Sequence, residues 1–348
     1  LTDLIAILDA EGKKDEATAL KVASAIKSYG NGETNARGQI EGLARNGVLA
    51  KAEAEAKELA EFLAARKELP ASWSAAPAEL EKVLARDREG QERRFFLSEI
   101  ERLNGYLSSA LSAVRRADER RKPDLEREAG FQERDLDRAR QREKDLTRSL
   151  APAASRKALA YLVAKTQAAS AGMPVKAFDE AFGKGASAEV IEAKLAAMDA
   201  ATTLGDEKVR LANVDASSAS LAASADPYVR LAVALHPELA AIRARQKETS
   251  GALLVWRPLY LSAHEALRTS KGKAIYPDAN STLRISFATV KGYSPREAVT
   301  YTPRTSLKGV LEKEKGVAPS ATPKKVLDAA RAGGFGTWAD ERLGSVPV

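Results

Sequence analysis

The stretch from Tyr276 to Pro303, YPDANSTLRISFATVKGYSPREAVTYTP, decides the fold class, because it is the strongest β-like pattern in a chain that otherwise has helical spacing. Apolar and polar residues alternate in LRISFATV, from Leu283 to Val290, which predicts a half-buried strand. Lys291-Gly292 can turn the chain, and a second short β-run follows from Val299 to Tyr301. These residues predict a β-hairpin, and by pattern alone any small β-sheet could contain it.

The first 270 residues have the spacing of amphipathic helices. The clearest apolar seam lies in a helix predicted to begin at Gln91, and its members recur every three or four positions: Phe96, Ile100, Leu103, Leu107, Leu111 and Val114. Asp226-Pro227 supplies an N-cap and a first-turn proline, which predicts a helix that continues, with breaks, to about Ser270. Thr322-Pro323 and Gly333-Gly334 bracket a short helix in the same way.

Two breaks are predicted in the first third of the chain. Gly30-Asn31-Gly32 is expected to end a helix that carries apolar residues from Asp15 onward, and a loop is expected to end near Asn35. A long helix is then predicted from about Arg37 to Leu69, and the segment from Pro70 to Pro77 is expected to interrupt it.

The helical period ends near Lys271 to Lys273, where the β-pattern begins. We therefore predict two domains, an all-helical domain over residues 1–270 and a β-segment over residues 271–348. The second segment is too short for a pair of closed six-stranded barrels, so it can hold at most half of such a pair. The predicted fold class is mainly α, a large helical domain followed by a partial β-barrel, α+β overall.

The amino-acid composition limits the classes of molecule that this chain is expected to bind. The 348 residues are 44% hydrophobic and 30% charged, with 55 Lys and Arg against 48 Asp and Glu. The charges are interleaved, since the segment from Arg115 to Arg148 holds twelve basic and ten acidic side chains, so we expect ion-paired helix faces and no nucleic-acid partner. The chain has no cysteine, which excludes disulfides and thiolate chemistry, and no apolar run long enough to span a bilayer.

Few residues qualify as catalytic candidates. His236 and His264 are the two histidines, both in predicted helices, without the nucleophile, acid or metal-ligand spacing that a catalytic or zinc site requires. The glycine cluster from Gly333 to Gly336 lacks the G-K-[ST] of a phosphate-binding loop. Asp278 and Asn280 could contact a substrate or form a turn. We therefore expect no catalytic residue, no metal and no cofactor in this chain.

Four runs in one order carry a family resemblance: RKPDLEREAGFQERD from Arg121 to Asp135, SADPYVRLAVALHPE from Ser224 to Glu238, the stretch from Tyr276 to Pro303, and SLKGVLEKEKG from Ser306 to Gly316. Together they resemble the bacterial dipeptidyl-peptidase VII and XI type of serine exopeptidases. The resemblance implies a chymotrypsin-like double β-barrel that carries an inserted helical domain. This chain is then similar to the middle portion of such an enzyme, the helical domain and the first strands after it.

The resemblance also implies function. Enzymes of this family release dipeptides from the free N-terminus of peptides through an acyl-enzyme serine mechanism. Their catalytic histidine and aspartate precede the helical insertion and their serine follows it, so this fragment alone is expected to be inactive. The family further implies a homodimer located in the periplasm or at the cell surface, without a cofactor.

One substrate-binding residue is implied in the same way. In the family, an asparagine in an N-x-x-G context, early in the helical domain, helps to hold the terminal amino group of the peptide, and Asn35-Ala36-Arg37-Gly38 fits this context. An asparagine that caps a helix or lies in a loop would have the same sequence. The alternative function is a non-enzymatic helical scaffold or coiled-coil interaction protein, which accounts for the helices but not for the stretch from Tyr276 to Pro303.

Overall fold

The structure is a computed structural model that describes residues 1–170, 172–273, 283, 285–317 and 320–348. The chain divides into two compact units, Leu1–Ile275 and Tyr276–Val348. The predicted turn residues Asp278 and Asn280 lie outside the described residues. The two units are described separately below.

The first unit consists of helices joined by short turns. They are α1 Thr2–Gly12, α2 Glu16–Arg45, α3 Val48–Ala65, α4 Ala71–Arg88, α5 Gln91–Arg102, α6 Tyr106–Glu119, α7 Leu136–Ser149, α8 Pro152–Ala168, α9 Lys176–Phe182, α10 Ala188–Ala201, α11 Glu207–Asp215, α12 Ser218–Ala222 and α13 Pro227–Ser270, with 3-10 turns at Asp124–Glu126 and Glu133–Asp135. The prediction of a mainly α chain is confirmed.

Two hydrophobic clusters stabilise this unit. The larger extends from Leu4 of α1 to Leu239 of α13 and includes the fully buried Leu162 and Phe178. The smaller joins α3 to the end of α13 through Leu59, Leu63, Ala263 and Leu267. Because α13 has 44 residues, it is about 66 Å long and reaches both clusters.

The predicted start of α13 is confirmed. The Asp226 carboxylate accepts hydrogen bonds from the backbone N–H of Tyr228 at 3.0 Å and of Val229 at 3.3 Å, as an N-cap does. The helix ends at Ser270 as predicted but has no break, although it contains Pro237 and Pro258. Each proline removes one backbone hydrogen bond, and Pro237 lies between the buried Leu235 and Leu239, whose packing supports the helix there.

Of the two breaks predicted nearer the N-terminus, the one at Gly30-Asn31-Gly32 is wrong, whereas the chain does break at Pro70. Helix α2 runs through Gly30-Asn31-Gly32 and ends only before Gly47, whose φ of 57° is left-handed. A glycine inside a helix costs up to about 1 kcal/mol but does not forbid the helical conformation, so it does not by itself end a helix. The single helix predicted from Arg37 to Leu69 is also wrong, because Asn46 and Gly47 divide it into α2 and α3. The second break falls between α3 and α4, and Pro77 lies inside α4.

The apolar seam predicted from Gln91 is divided between two helices. Helix α5 ends at Arg102 and α6 begins at Tyr106, because Gly105 between them has extended backbone and caps α6. The seam side chains are nevertheless buried, or partly buried in the case of Phe96, as the spacing predicted.

The second unit contains one small hairpin among its described residues. Strands β1 Tyr293–Arg296 and β2 Val299–Tyr301 pair antiparallel, and the rings of Tyr293 and Tyr301 stack with centroids 5.1 Å apart. Helices α14 Leu307–Lys313 and α15 Lys324–Ala332 follow, and α15 ends at Gly333 as predicted.

The half-buried strand predicted from Leu283 to Val290 is wrong. Residues 285–290 have no regular structure, and the Phe287 side chain is 94% exposed. The hairpin lies further along the chain and turns at Glu297-Ala298 instead of Lys291-Gly292. A strand pattern needs a neighbouring strand for its backbone groups and a layer to cover its apolar face, and the described residues of this unit supply neither at this position. A chymotrypsin-like barrel therefore stays a prediction.

Candidate functional site

Asn35 lies in the middle of α2 with an exposed side chain. It is neither a loop residue nor an N-cap, so both structural alternatives that its sequence left open are wrong. Its Oδ1 accepts a hydrogen bond from Gln39 Nε2 at 3.3 Å, one helical turn further on. A terminal ammonium group only donates hydrogen bonds, so the part of the Asn35 amide that could bind it is the remaining lone pair on Oδ1.

The helix surface around Asn35 is uncharged and open. Positions three and four residues away are its neighbours on a helix, and here they are Asn31, Gly32, Gly38 and Gln39. A methyl group added at Gly38 would meet no atom within 4 Å. A peptide backbone could therefore approach the Asn35 amide closely, because the glycines beside it carry no side chain.

Glu33, the acidic residue nearest to Asn35 in sequence, does not pair with the Asn35 amide. Glu33 lies two positions away, on another face of the helix, and accepts hydrogen bonds from Arg37 Nη2 at 2.7 Å and Thr2 Oγ1 at 3.0 Å. These bonds hold the pKa of the Glu33 carboxyl below its usual value, the Arg37 bond contributing most. Glu33 is therefore already paired and is not the carboxylate partner of an ammonium group bound at Asn35.

The two histidines lie in α13 and form no catalytic pair. His236 Nε2 lies 3.2 Å from Asp118 Oδ2, an ion pair across to α6 when the ring is protonated. The His264 ring packs edge-on against Tyr260 with centroids 4.5 Å apart, and burial lowers its pKa. In the described part of the chain neither ring hydrogen-bonds a serine hydroxyl, and no cluster of three or more His, Asp or Glu could hold a metal ion.

A cleft with a polar rim lies next to α2 and was not predicted. It has a volume of about 310 Å³ and is lined by side chains that include Lys21, Ser24, Ser28, Tyr29, Arg102 and Asn104. Its walls come from α2, from the α5–α6 turn and from the α7–α8 turn, segments more than 100 residues apart in sequence at the extremes. The one local signal was the polar spacing of Lys21, Ser24 and Ser28, and Asn35 continues that stripe seven residues, about 10 Å, beyond Ser28.

Comparison with known sequences assigns the family. The profile of the family described as peptidase S46 matches residues 1–348. The Asp/Glu-specific dipeptidyl-peptidase of Shewanella putrefaciens is 32% identical over 337 residues, which are 94% of this chain and 44% of that protein. Dipeptidyl-peptidase 7 of Porphyromonas gingivalis is 29% identical over 131 residues, 37% of this chain and 18% of that protein.

Comparison with solved structures agrees on the fold. The crystal structure of Porphyromonas endodontalis DPP11 superposes with a TM-score of 0.59 at 21% identity, covering 99% of this chain and 48% of that one. The structure of the same protein in complex with the dipeptide Arg-Glu gives a TM-score of 0.58 at 20% identity, with the same coverage. The chain thus spans about half the length of these relatives.

No helix in the described ranges is both long and apolar enough to cross a bilayer. The resemblance drawn from the sequence is confirmed, and the chain belongs to the peptidase S46 family.

Proposed function

We propose that this chain is the middle portion of a serine dipeptidyl-peptidase that releases dipeptides from the free N-terminus of peptides. The observation that carries the proposal is the family match over all 348 residues, together with a dipeptidyl-peptidase relative that covers 94% of the chain. Relatives named Asp/Glu-specific and relatives named dipeptidyl-peptidase 7 both match. We therefore propose dipeptide release, and the proposal does not specify which residue the enzyme prefers before the cleaved bond.

In this proposal the first unit caps the substrate cleft. A helical cap that closes one end of the cleft would exclude longer N-terminal extensions, and the Asn35 amide would hydrogen-bond the terminal ammonium group. The second unit would contribute the first strands of a chymotrypsin-like barrel. The exposed apolar side chains of its described residues, Phe287 among them, support this role, since they have no cover within the unit.

The catalytic triad would lie in other parts of the enzyme. The relatives are about twice the length of this chain, and among its described residues no histidine pairs with a nucleophile. The partners would be peptides with a free N-terminus, a class that agrees with the dipeptide complexes of DPP11. Homodimer formation and a periplasmic or cell-surface location rest on the family resemblance alone. A helical scaffold without enzymatic activity would leave the full-length family match without an explanation.

The test compares the longer protein that contains this chain with residues 1–348 alone. The longer protein is incubated with a peptide and with the same peptide acetylated at its N-terminus, and released dipeptides are measured by mass spectrometry. We expect release from the free peptide only, its loss with a serine-directed inhibitor, and no release by residues 1–348. Cleavage of the acetylated peptide at an equal rate would exclude a dipeptidyl-peptidase. Inhibitor-sensitive activity of residues 1–348 would contradict the position of the triad.

A further inference from the structure

The cleft beside α2 has a buried apolar floor and a polar rim. Leu8 and Val22 on its floor are 3% and 5% exposed, and Ala154 is fully buried. The volume of about 310 Å³ is within the range of small-molecule sites, and a pocket with an apolar floor and a few polar groups is the usual form of such sites. The cleft can therefore hold a small molecule with an aliphatic part.

The rim has basic side chains and no acidic one. Lys21 and Arg102 line the cleft, and among the described residues no Asp or Glu does. Arg102 Nη1 lies 3.2 Å from Oε1 of the buried Glu99 behind the wall, so these two charges offset each other. Lys21 has no ion pair within 4 Å in the part of the chain that the structure describes. The net charge at the rim is positive, and the N-terminal turn of α8 adds to it because Ala151 and Ser155 also line the cleft.

Hydrogen-bonding groups complete the rim. The Ser24 and Ser28 hydroxyls make no hydrogen bond to any described residue, so they can serve a ligand. Tyr29 also lines the cleft, and its pKa is raised by burial and by the neighbouring Glu99 carboxylate, which accepts the phenol proton, so the two serines are the free hydroxyl groups of the rim. The opposite wall is held in place, since Asn104 Nδ2 donates to the Ser149 carbonyl at 3.1 Å and to Ser149 Oγ at 2.9 Å.

We propose that this cleft binds a small organic carboxylate with an aliphatic body and an amide group. Lys21 would pair with the carboxylate, the serine hydroxyls would hydrogen-bond the amide, and the aliphatic part would lie on Leu8 and Val22. Cation, hydroxyl groups and apolar floor lie together in this one cleft, which selects such a molecule over an inorganic anion or a neutral hydrocarbon. The inference is independent of dipeptide release, since it concerns residues 1–348 alone.

The test uses residues 1–348 and N-acetyl-leucine, which has a carboxylate, an amide and an aliphatic side chain. Ligand-observed NMR titration measures the dissociation constant, with N-acetyl-leucinamide as the neutral probe of the same shape. We expect saturable binding of the acid on the order of a millimolar dissociation constant, as suits about twelve non-hydrogen atoms, and much weaker binding of the amide. Raising the salt concentration should weaken the binding of the acid.

Variants locate the site. Lys21→Gln should weaken binding of the acid about three- to tenfold, and Ser28→Phe, which fills the cleft, should abolish it. Lys27→Gln is the matched control, because Lys27 is exposed on the same helix but does not line the cleft, and it should have no effect. Circular dichroism verifies that each variant folds. Equal binding of acid and amide, an equal effect of Lys27→Gln and Lys21→Gln, or no saturable binding at the solubility limit of the probe would each overturn the proposal.

Discussion

The two units differ in how far their apolar side chains are buried. In Leu1–Ile275, Phe178 is 0% exposed and belongs to a core shared by most of the helices, whereas in Tyr276–Val348 Phe287 is 94% exposed. A helix satisfies its backbone groups internally and needs only one packed stripe, while a strand needs partners that are often distant in sequence. The comparison indicates that the first unit is stabilised by its own core and that the second contributes little to the stability of the chain.

Limited proteolysis should show the largest difference between the units. Residues 285–292 have no regular structure, and Lys291 among them is exposed, whereas Arg93 and Arg210 in the first unit are 6% and 1% exposed. Trypsin cleaves where the backbone is locally unfolded, so we expect the first cuts beyond Ser270. Cleavage at the buried arginines should be slower by on the order of 10³-fold, because it requires opening that costs about 4 kcal/mol. Mass spectrometry over time identifies the sites, and early cleavage between Arg93 and Leu150 would refute the division.

Two alanine substitutions of the same residue type test the comparison directly. Phe178→Ala should lower the free energy of unfolding by about 3–5 kcal/mol, because it leaves a cavity in the large core. Phe287→Ala should change it by less than about 0.5 kcal/mol, because an exposed ring loses almost no contacts. Urea unfolding followed by far-UV circular dichroism measures both. Similar losses for the two variants would mean that the second unit has a core of its own.

Features set by neighbouring residues could be predicted from the sequence. The Asp226 cap, the end of α15 at Gly333 and the burial of the seam from Ile100 to Val114 each depend on a few adjacent positions, and the structure has all three. The continuation of α2 through Gly30-Asn31-Gly32 could not be predicted, because local propensity is only one term in the stability of a helix. The strand predicted from Leu283 failed because alternation specifies a face but not the partner that covers it.

The residues of the candidate site could likewise be predicted from the sequence only in part. Asn35 was proposed from a family resemblance, and its local N-x-x-G context gave no information on the helix around it. The cleft depends on Lys21 and Arg102, which are 81 positions apart in sequence and meet only after folding. The buried Arg210 was not anticipated either, since one of its partners, the Glu143 carbonyl at 3.0 Å, is 67 positions away in sequence, in α7.

Asn35→Ala in the longer enzyme proposed above separates a substrate-binding residue from a structural one. Loss of a hydrogen bond to a charged group should lower kcat/KM about ten- to hundredfold for free-amine peptides. The melting temperature should stay the same or rise slightly, because alanine is the better helix former at an exposed position inside α2.

Gln141→Ala is a matched control for this substitution. Gln141 is exposed inside α7 and its amide also bonds one turn ahead, to Asp145 Oδ1 at 2.9 Å. This variant should leave both kcat/KM and the melting temperature nearly unchanged. If Asn35→Ala left kcat/KM unchanged as well, Asn35 would have no part in substrate binding.

The smallest expected effect concerns the interior of the first unit at different pH values. Burial raises the pKa of the Glu143 carboxyl above its ordinary value of 4.5, against the opposing effects of the Ser109 hydrogen bond at 2.7 Å and of Arg210. The folded state therefore holds this proton more tightly than the unfolded state does. The stability that the protonated group contributes is present below pH 4.5 and is lost as the pH rises through the folded-state pKa.

Glu143→Gln should remove this dependence, so the unfolding free energy of the variant relative to the parent chain should rise with pH above 4.5 and then level off. Glu128→Gln is the control of opposite sign. Hydrogen bonds from Lys247 and Arg115 lower the Glu128 pKa to about 2, so the parent chain should lose stability relative to that variant as the pH falls from 4.5 towards 2. Urea unfolding across this pH range measures both differences. A flat difference for Glu143→Gln would mean that water reaches this carboxyl and that the interior around it is less dry than its packing indicates.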